Sequence, residues 1–133
     1  MGGIYGGGMR GSVNKLPYPN YNVSVSLPCG PENVDKLITA TFVEIDKIKA
    51  NGPTEADLNK VKETYNKKHA EDMKDNNYWL RMLQGTIDFG NDGSNILALE
   101  KKMNALTVKD IKDAAQLYLD SKNYLQAVLY PEK

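Results

Sequence analysis

The sequence contains a single cysteine and a single histidine, and this scarcity restricts the chemistry that the chain can support. Cys29 alone excludes an internal disulfide and leaves the redox compartment undecided. A catalytic zinc site usually takes three protein ligands, and with His69 alone neither HExxH nor HxxEH can be written. The chain is therefore expected to bind no cofactor or metal of its own. Cys29 is interpreted as a structural thiol and His69 as a half-buried helix residue.

Surplus charge and long hydrophobic runs are missing as well. Lys+Arg and Asp+Glu balance at 17 each, which argues against nucleic acid or a charged membrane surface as the main partner. The apolar runs are too short to span a bilayer. No signal-peptide pattern opens the sequence, which says little if the chain is an excised piece. A length of 133 residues suits one hydrophobic core, so residues 1–133 are expected to form a single domain.

What the sequence does contain is an apolar ribbon near its start. Residues 20–28 largely alternate apolar and polar side chains, which predicts a strand with one apolar face, and Pro17 and Pro19 mark the connection before it. Residues 3–14 are rich in glycine, which allows two interpretations: a flexible leader, or a strand whose bare backbone lets another chain lie against it. The apolar residues between the glycines favour the strand, so a hairpin of 3–14 with 20–28 is predicted.

Helical periodicity dominates the rest of the chain. Apolar residues recur every three or four positions between residues 34 and 119, and Thr54 and Thr107 are capping signals for two of the segments. This pattern predicts four or five helices. Residues 123–130 are short, apolar and rich in strand formers, so a third strand is predicted there. The predicted fold class is α+β, an antiparallel sheet of the hairpin and the C-terminal strand covered on one face by the helices.

No catalytic cluster is apparent in these patterns. The glycine run is not followed by Gly-Lys-Ser/Thr or by a helix, so it is not a phosphate-binding loop. The carboxylate pairs Glu71 with Asp72 and Asp88 with Asp92 are ordinary for a charged helix or loop. Trp79, in the densest aromatic patch, is interpreted as a core anchor because buried aromatics dominate packing energy.

Seven segments, taken in order, give the sequence a resemblance to a known family. They are Gly3–Gly8, Tyr21–Leu27, Pro31–Leu37, Asn51–Glu55, Lys74–Leu80, Asn104–Thr107 and Tyr118–Leu119. Together they resemble the last part of pitrilysin/insulinase-type zinc metallopeptidases, most of all the bacterial processing-protease-like branch. Each motif is only moderately specific, but the seven in this order make a strong combination that covers essentially the whole chain.

The resemblance implies a parent enzyme built as a clamshell of related α/β domains. This chain would be a metallohydrolase-like half-domain at the end of the second, non-zinc-binding half, truncated at its N-terminus. The HxxEH motif and the zinc would lie on the missing catalytic half or on a partner chain. The bacterial branch suggests the cell envelope or periplasm.

The resemblance also suggests where the chain would contact a substrate. By position, Tyr5 is similar to the family's tyrosine, which contacts the substrate backbone near the scissile carbonyl, and Gly6 and Gly7 would lie beside it. The arginine that accompanies this tyrosine in the family would precede Met1. The residues by themselves equally allow Tyr5 to be a core aromatic that faces the helices.

Three functions are compatible with these observations. The first is the substrate-binding, non-catalytic C-terminal region of a zinc metalloendopeptidase, in which an extended peptide lies along the glycine strand. The second is a catalytically inactive structural or assembly subunit of the same fold. The third is a free-standing α+β domain that forms a homodimer through its sheet edge. An HxxEH motif upstream or in a partner chain would distinguish the first from the second.

Overall fold

A computed structural model describes residues 6–130, which contain five α-helices and one antiparallel hairpin. In chain order the elements are β1 (Gly8–Asn14), β2 (Asn20–Ser26), α1 (Val34–Asn51), α2 (Glu55–Asp72), α3 (Asn76–Asp88), α4 (Leu99–Ala105) and α5 (Val108–Tyr118). Short 3-10 turns, Pro31–Asn33 and Gly93–Ile96, precede α1 and α4. The predicted α+β class is confirmed. None of the helices in residues 6–130 combines the length with the hydrophobicity that a membrane-spanning helix needs.

The chain divides into two compact units. Unit 1 takes residues 6–50 and 114–130 of the described chain, and unit 2 takes residues 51–113. Unit 1 therefore contains the hairpin, nearly all of α1 and the second part of α5. The expectation of a single domain stays a prediction.

The hairpin is held in one continuous register. β1 pairs antiparallel with β2 from Gly8 opposite Ser26 to Asn14 opposite Asn20. The side-chain amide of Asn14 donates to Oδ1 of Asn20 at 3.0 Å, and the amide of Asn20 donates to the carbonyl oxygen of Tyr18 at 3.1 Å. Both prolines of the connection lie outside the strands, as expected for residues without a backbone donor. The strand interpretation of the glycine-rich segment is thus confirmed for β1.

The strands are shorter than the sequence predicts. Of the predicted strand 3–14, residues 3–5 lie outside the described residues, and Gly6 forms a bend with φ of +122°, which is not a strand conformation. β2 ends at Ser26 rather than at residue 28. Pro28 has no N–H to contribute to a ladder, which explains why pairing stops before it.

The predicted third strand over residues 123–130 is wrong for the described part of the chain. The described sheet has two strands, and residues 124–130 have no regular secondary structure. Tyr124 packs edge-on against Phe42 of α1 with ring centroids 5.0 Å apart, but Leu125 and Leu129 are 93% and 99% exposed. Strand-forming composition is not sufficient, because a strand forms only where a neighbouring backbone pairs with it and a surface covers its side chains.

Unit 1 is joined by two contacts between elements far apart in sequence. Tyr118, at the end of α5, packs edge-on against Tyr21 of β2 with ring centroids 5.1 Å apart. The side-chain amide of Gln116 donates to the backbone oxygen of Lys49 at 2.8 Å, which connects α5 to the last turn of α1. Ala115 on the same helix is buried. The second part of α5 therefore anchors both the hairpin and α1.

Unit 2 contains a few buried side chains and a hydrogen-bonded link between α2 and α4. Leu58 of α2 and Ile96 of the second 3-10 turn are buried. Lys62 donates to the backbone oxygen of Asn104 at 3.0 Å, and the side-chain amide of Asn66 donates to Oδ1 of Asn104 at 2.9 Å. These bonds attach α2 to the end of α4, where the helix leaves carbonyl groups without internal partners.

The predicted caps of α2 and α5 are confirmed. The hydroxyl of Thr54 accepts from the backbone N–H of Asp57 at 3.1 Å and donates to its carboxylate at 2.6 Å. At α5, Asp110 accepts from the backbone N–H of Thr107, whose hydroxyl accepts from the N–H of Asp110 in return. The hydroxyl hydrogen bonds lower the pKa of the Asp57 and Asp110 carboxyls.

Replacing the cap residue of α2 tests this arrangement. Thr54→Ala should lower the free energy of unfolding by about 1 kcal/mol, because the N–H of Asp57 loses its acceptor. The pKa of Asp57 should rise toward its ordinary value of about 3.9. Since folding lowers this pKa, the carboxylate stabilises the fold above its unfolded pKa, and the stabilisation disappears as the pH falls through the folded pKa. Urea unfolding at neutral and acidic pH and an NMR titration of Asp57 measure both effects.

Thr64→Ala is the matched control. Thr64 lies within α2, and its hydroxyl donates only to the backbone oxygen of Lys60. This variant should be neutral or slightly stabilising, because alanine is the better helix former. Equal losses of stability in the two variants would contradict the capping role of Thr54.

Candidate functional site

The register of the hairpin sorts its side chains into two faces, because directly opposite residues of an antiparallel pair share a face. The apolar face consists of three cross-strand pairs: Met9–Val25, Gly11–Val23 and Val13–Tyr21. The polar face consists of the other four: Gly8–Ser26, Arg10–Ser24, Ser12–Asn22 and Asn14–Asn20. Every residue of both strands is exposed. The hairpin is therefore an amphipathic ribbon that is largely uncovered within the described chain.

The apolar face is open along most of its length. Met9 and Val13 on β1 are 53% and 78% exposed, and Val23 and Val25 on β2 are also exposed. Tyr118 contacts the face at its Tyr21 end. An apolar strip of this kind is unusual on a soluble surface unless something covers it.

One edge of β1 has no partner among the described residues. β1 pairs with β2 on one side, and no further strand joins the two-stranded sheet. Such an edge presents alternate N–H and C=O groups that another extended chain can pair with. A Cβ atom built on Gly8 or Gly11 meets no atom within 4 Å, so the space over the sheet is open at Gly8 on the polar face and at Gly11 on the apolar face. Side chains of an added strand would therefore meet no obstruction at these two positions.

Two of the three predicted site residues, Gly6 and Gly7, lie within the described residues. Tyr5 lies outside them. Gly6 and Gly7 are exposed and lead directly into β1, Gly6 in a bend with φ of +122°. Glycine is suited to this backbone conformation, because a side chain would be strained there. The structure thus brings Gly6 and Gly7 to the start of the open strand, and their contact with a substrate stays a prediction.

His69 is used for packing at the corner between α2 and α3. Its buried ring stacks on Tyr65 with centroids 5.8 Å apart, and its Nδ1 is hydrogen-bonded to the hydroxyl of Tyr78 at 3.3 Å. Burial raises the pKa of the Tyr78 phenol. The indole N–H of Trp79 donates to the backbone oxygen of Met73 at 2.9 Å. His69 is more buried than the sequence predicts, and Trp79 anchors the corner.

The residues present do not fit the zinc ion that the family resemblance implies. Within residues 6–130, no group of three or more His, Cys, Asp or Glu side chains could hold a metal ion. Cys29 is half-buried in unit 1, whereas His69 belongs to unit 2. No chemical step is therefore assigned to a metal on this part of the chain.

Two carboxylates from the acidic pairs serve local structure. Asp72 forms an ion pair with Lys68 one turn earlier, with 3.0 Å between Nζ and Oδ1. Asp92 caps the second 3-10 turn, accepting from the backbone N–H of Ser94 at 2.9 Å and from its hydroxyl at 2.6 Å. The bond from the hydroxyl of Ser94 lowers the pKa of the Asp92 carboxyl. These contacts are those of ordinary helix and loop residues.

The sequence predictions missed Arg10 as a candidate. Its position on the polar face of the open strand follows only from the register, since glycine-rich sequence by itself does not show which residues share a face. The signal that could have drawn attention to it is the charge distribution of this segment, which contains basic residues and no acidic ones.

Comparison with known proteins gives three findings. The family described as Peptidase M16 inactive domain matches residues 1–65. A protein of Arabidopsis thaliana named "Zinc protease PQQL-like" is 27% identical over 123 residues, which cover 84% of this chain and 13% of that protein. The solved structure of the periplasmic protease PqqL from Escherichia coli is 20% identical and superposes with a TM-score of 0.68. That match covers 87% of this chain and 13% of the solved chain, so it shows a shared fold.

Two glycine substitutions test the backbone geometry at the start of the open strand. Gly6→Ala should lower the free energy of unfolding by about 1 kcal/mol, because its φ of +122° strains any L side chain. Gly11→Ala should be neutral or stabilising by up to about 1 kcal/mol, since a Cβ there meets open space and alanine reduces the entropy of the unfolded chain. Urea unfolding of both variants measures the difference, and the reverse order would contradict the assigned geometry.

Proposed function

We propose that this chain is the inactive C-terminal domain of a pitrilysin-type M16 zinc protease, as its motifs predict, and that it holds an extended peptide substrate without cleaving it. The observation that carries the proposal is the open edge of β1, with unfilled space over the two faces of the sheet at Gly8 and Gly11. In strand addition, an extended peptide pairs with the edge of a sheet as a further strand. Backbone hydrogen bonds then supply affinity, and alternate side chains supply specificity. The amphipathic faces of the hairpin provide the surfaces that those side chains would meet.

The chemistry of cleavage is assigned to the rest of the parent protein. The chain spans 13% of the length of both relatives, which leaves ample sequence for a companion catalytic half. We assign the HxxEH motif, the zinc ion and peptide hydrolysis to that half, because the described residues contain no fitting ligand set. The solved relative is a periplasmic protease, which supports a periplasmic location for the parent of this chain.

Tyr5 is the proposed link between this chain and the reaction. Its place shortly before the open strand matches the family's substrate-contacting tyrosine, and a phenol there would donate a hydrogen bond to the scissile carbonyl oxygen. A donor of this kind accelerates the reaction because it stabilises the charge that develops on the oxygen in the transition state. Gly6 and Gly7 would allow the substrate backbone to approach this donor closely.

Backbone-modified peptides test strand addition directly. The probe is a peptide of about eight residues that alternates leucine and serine, a length typical of one strand. Binding should shift the amide NMR signals of residues 8–14 and slow their hydrogen exchange. N-methylation of the peptide at alternate positions should abolish binding when it blocks the N–H groups that face β1. The same modification at the other alternate positions should leave binding nearly unchanged, because those groups point away from β1.

The results of these NMR and N-methylation experiments distinguish strand addition at β1 from binding elsewhere and from self-association of the chain. Signal changes confined to unit 2, or equal binding of the two N-methylated series, would contradict strand addition. Light scattering of the free chain provides a control for self-association, because the same open edge could pair with a second copy. If the chain forms a dimer and the peptide dissociates it, self-association and peptide binding both use the edge of β1.

Removal of the Tyr5 hydroxyl tests the role of this residue in the full-length parent enzyme. Tyr5→Phe should lower kcat by about 10²–10³-fold while KM remains nearly constant, because the lost donor acts mainly on the transition state. Tyr18→Phe is the matched control, since Tyr18 is an exposed tyrosine in the hairpin connection and should have no effect. Unchanged kcat combined with a loss of thermal stability would favour the alternative role of Tyr5 as a core aromatic.

A further inference from the structure

The polar face of the hairpin carries positive charge and no carboxylate. Its members, read from the register, are glycine, serine, asparagine and one arginine, Arg10. Arg10 lies in the middle of β1 opposite Ser24, which cannot neutralise it. Within residues 6–130 the Arg10 side chain has no ion-pair or hydrogen-bond partner. An exposed guanidinium is therefore available beside the open edge.

The charge of this segment differs from that of the chain as a whole. The full sequence is neutral, with 17 basic and 17 acidic residues. Residues 1–31 contain only two charged side chains, Arg10 and Lys15, and the first acidic residue of the chain is Glu32. The compensating excess of acidic residues lies entirely in the remainder. The hairpin is thus a basic element, and a charged surface of one sign attracts ligands of the opposite sign.

The geometry around Arg10 leaves room for a carboxylate. Gly8, two residues earlier on the same face, has no side chain, and the space beside it is open. A guanidinium presents a planar fork of donors that matches a carboxylate with two parallel hydrogen bonds. A side chain from an added strand on the polar face could therefore reach Arg10 without displacing protein atoms.

The apolar face of the hairpin favours apolar side chains at the alternate positions of an added strand. Met9 and Val13 project from β1, and Gly11 between them leaves a gap opposite Val23. The exposed apolar groups of both strands extend this surface. Because successive residues of an added strand point to opposite faces, the two surfaces together select an alternating sequence.

We propose that the peptide held by this hairpin alternates apolar residues with polar ones that include a carboxylate, and that Arg10 selects this carboxylate. This inference rests on the proposed function, because it requires strand addition along β1. The substrate class is acidic and apolar in alternation, and Arg10 is the residue that distinguishes it. Arg10 acts in specificity and binding and takes no part in cleavage.

Salt dependence gives the inference a measurable signature. An exposed ion pair changes affinity by a small factor, here about three- to fivefold. Raising the ionic strength from about 0.1 M to about 1 M shortens the screening length from roughly 10 Å to 3 Å. The preference for the acidic peptide should therefore disappear at the higher salt concentration, whereas binding through backbone hydrogen bonds and apolar contacts should persist.

The test uses the full 133-residue chain and three peptides. Each peptide alternates leucine and serine, with Glu, Gln or Lys in place of the central serine. The wild-type chain should bind the Glu peptide about three- to fivefold more tightly than the Gln peptide, and the Lys peptide most weakly. Arg10→Gln should remove these differences, and Arg10→Glu should invert the order of the Glu and Lys peptides. Isothermal calorimetry measures affinity, and NMR shifts of residues 8–14 locate the peptide.

Arg81→Gln is the matched control, because Arg81 is an exposed arginine on α3 and the same charge is removed from unit 2. It should leave the order of the three peptides unchanged. If all three bind along β1 with equal affinity, or if Arg10→Gln keeps the preference for Glu, the role of Arg10 is overturned while strand addition stands. If no peptide perturbs residues 8–14, strand addition fails, and this inference fails with it.

Discussion

The antiparallel register of the hairpin is the constraint on which the rest of the functional argument depends. A slip of one residue would move every side chain of one strand to the opposite face, so that Arg10 would lie opposite an apolar partner. The side-chain bond between Asn14 and Asn20 closes the ribbon at the connection. The ring contact between Tyr21 and Tyr118 attaches the same end to α5. These contacts favour one register, and that register separates a basic polar face from an apolar one.

Four titratable groups of the described chain, Asp57, Asp92, Asp110 and His69, stabilise helix ends and a corner between helices. Asp57, Asp92 and Asp110 each accept a hydrogen bond from a nearby hydroxyl, and Asp92 and Asp110 also accept one from a backbone N–H. These bonds lower the pKa of all three carboxyls. His69 is buried against Tyr65 and Tyr78. The proposed peptide-binding role therefore depends on the backbone and faces of the hairpin rather than on an acid–base pair. A surface that holds an extended peptide needs only hydrogen-bonding edges and shaped faces.

Most of the helical structure was predictable because its signals are short in range. A threonine three residues before an aspartate, as at Thr54 and Thr107, determines a helix start through contacts within one turn. The helical periodicity of α1 corresponds to a half-buried face, which consists of Val34, Leu37, Ile38, Thr41, Phe42, Ile45 and Ile48. The strand predicted over residues 123–130 failed because a strand depends on a partner that composition does not supply. Gly6 shortened the first strand through a backbone angle that the glycine-rich sequence allows but does not require.

The sequence by itself determined the fold class, the helix starts, the family resemblance and the basic, acid-free character of the first 31 residues. Each of these depends on residue type or on spacing within a few turns. Only the tertiary structure decided that Arg10 lies on the polar face, that one edge of β1 is open within the described chain and that His69 is buried. These properties depend on pairing between segments distant in the chain, because register and burial belong to two partners at once and cannot be read from either segment alone.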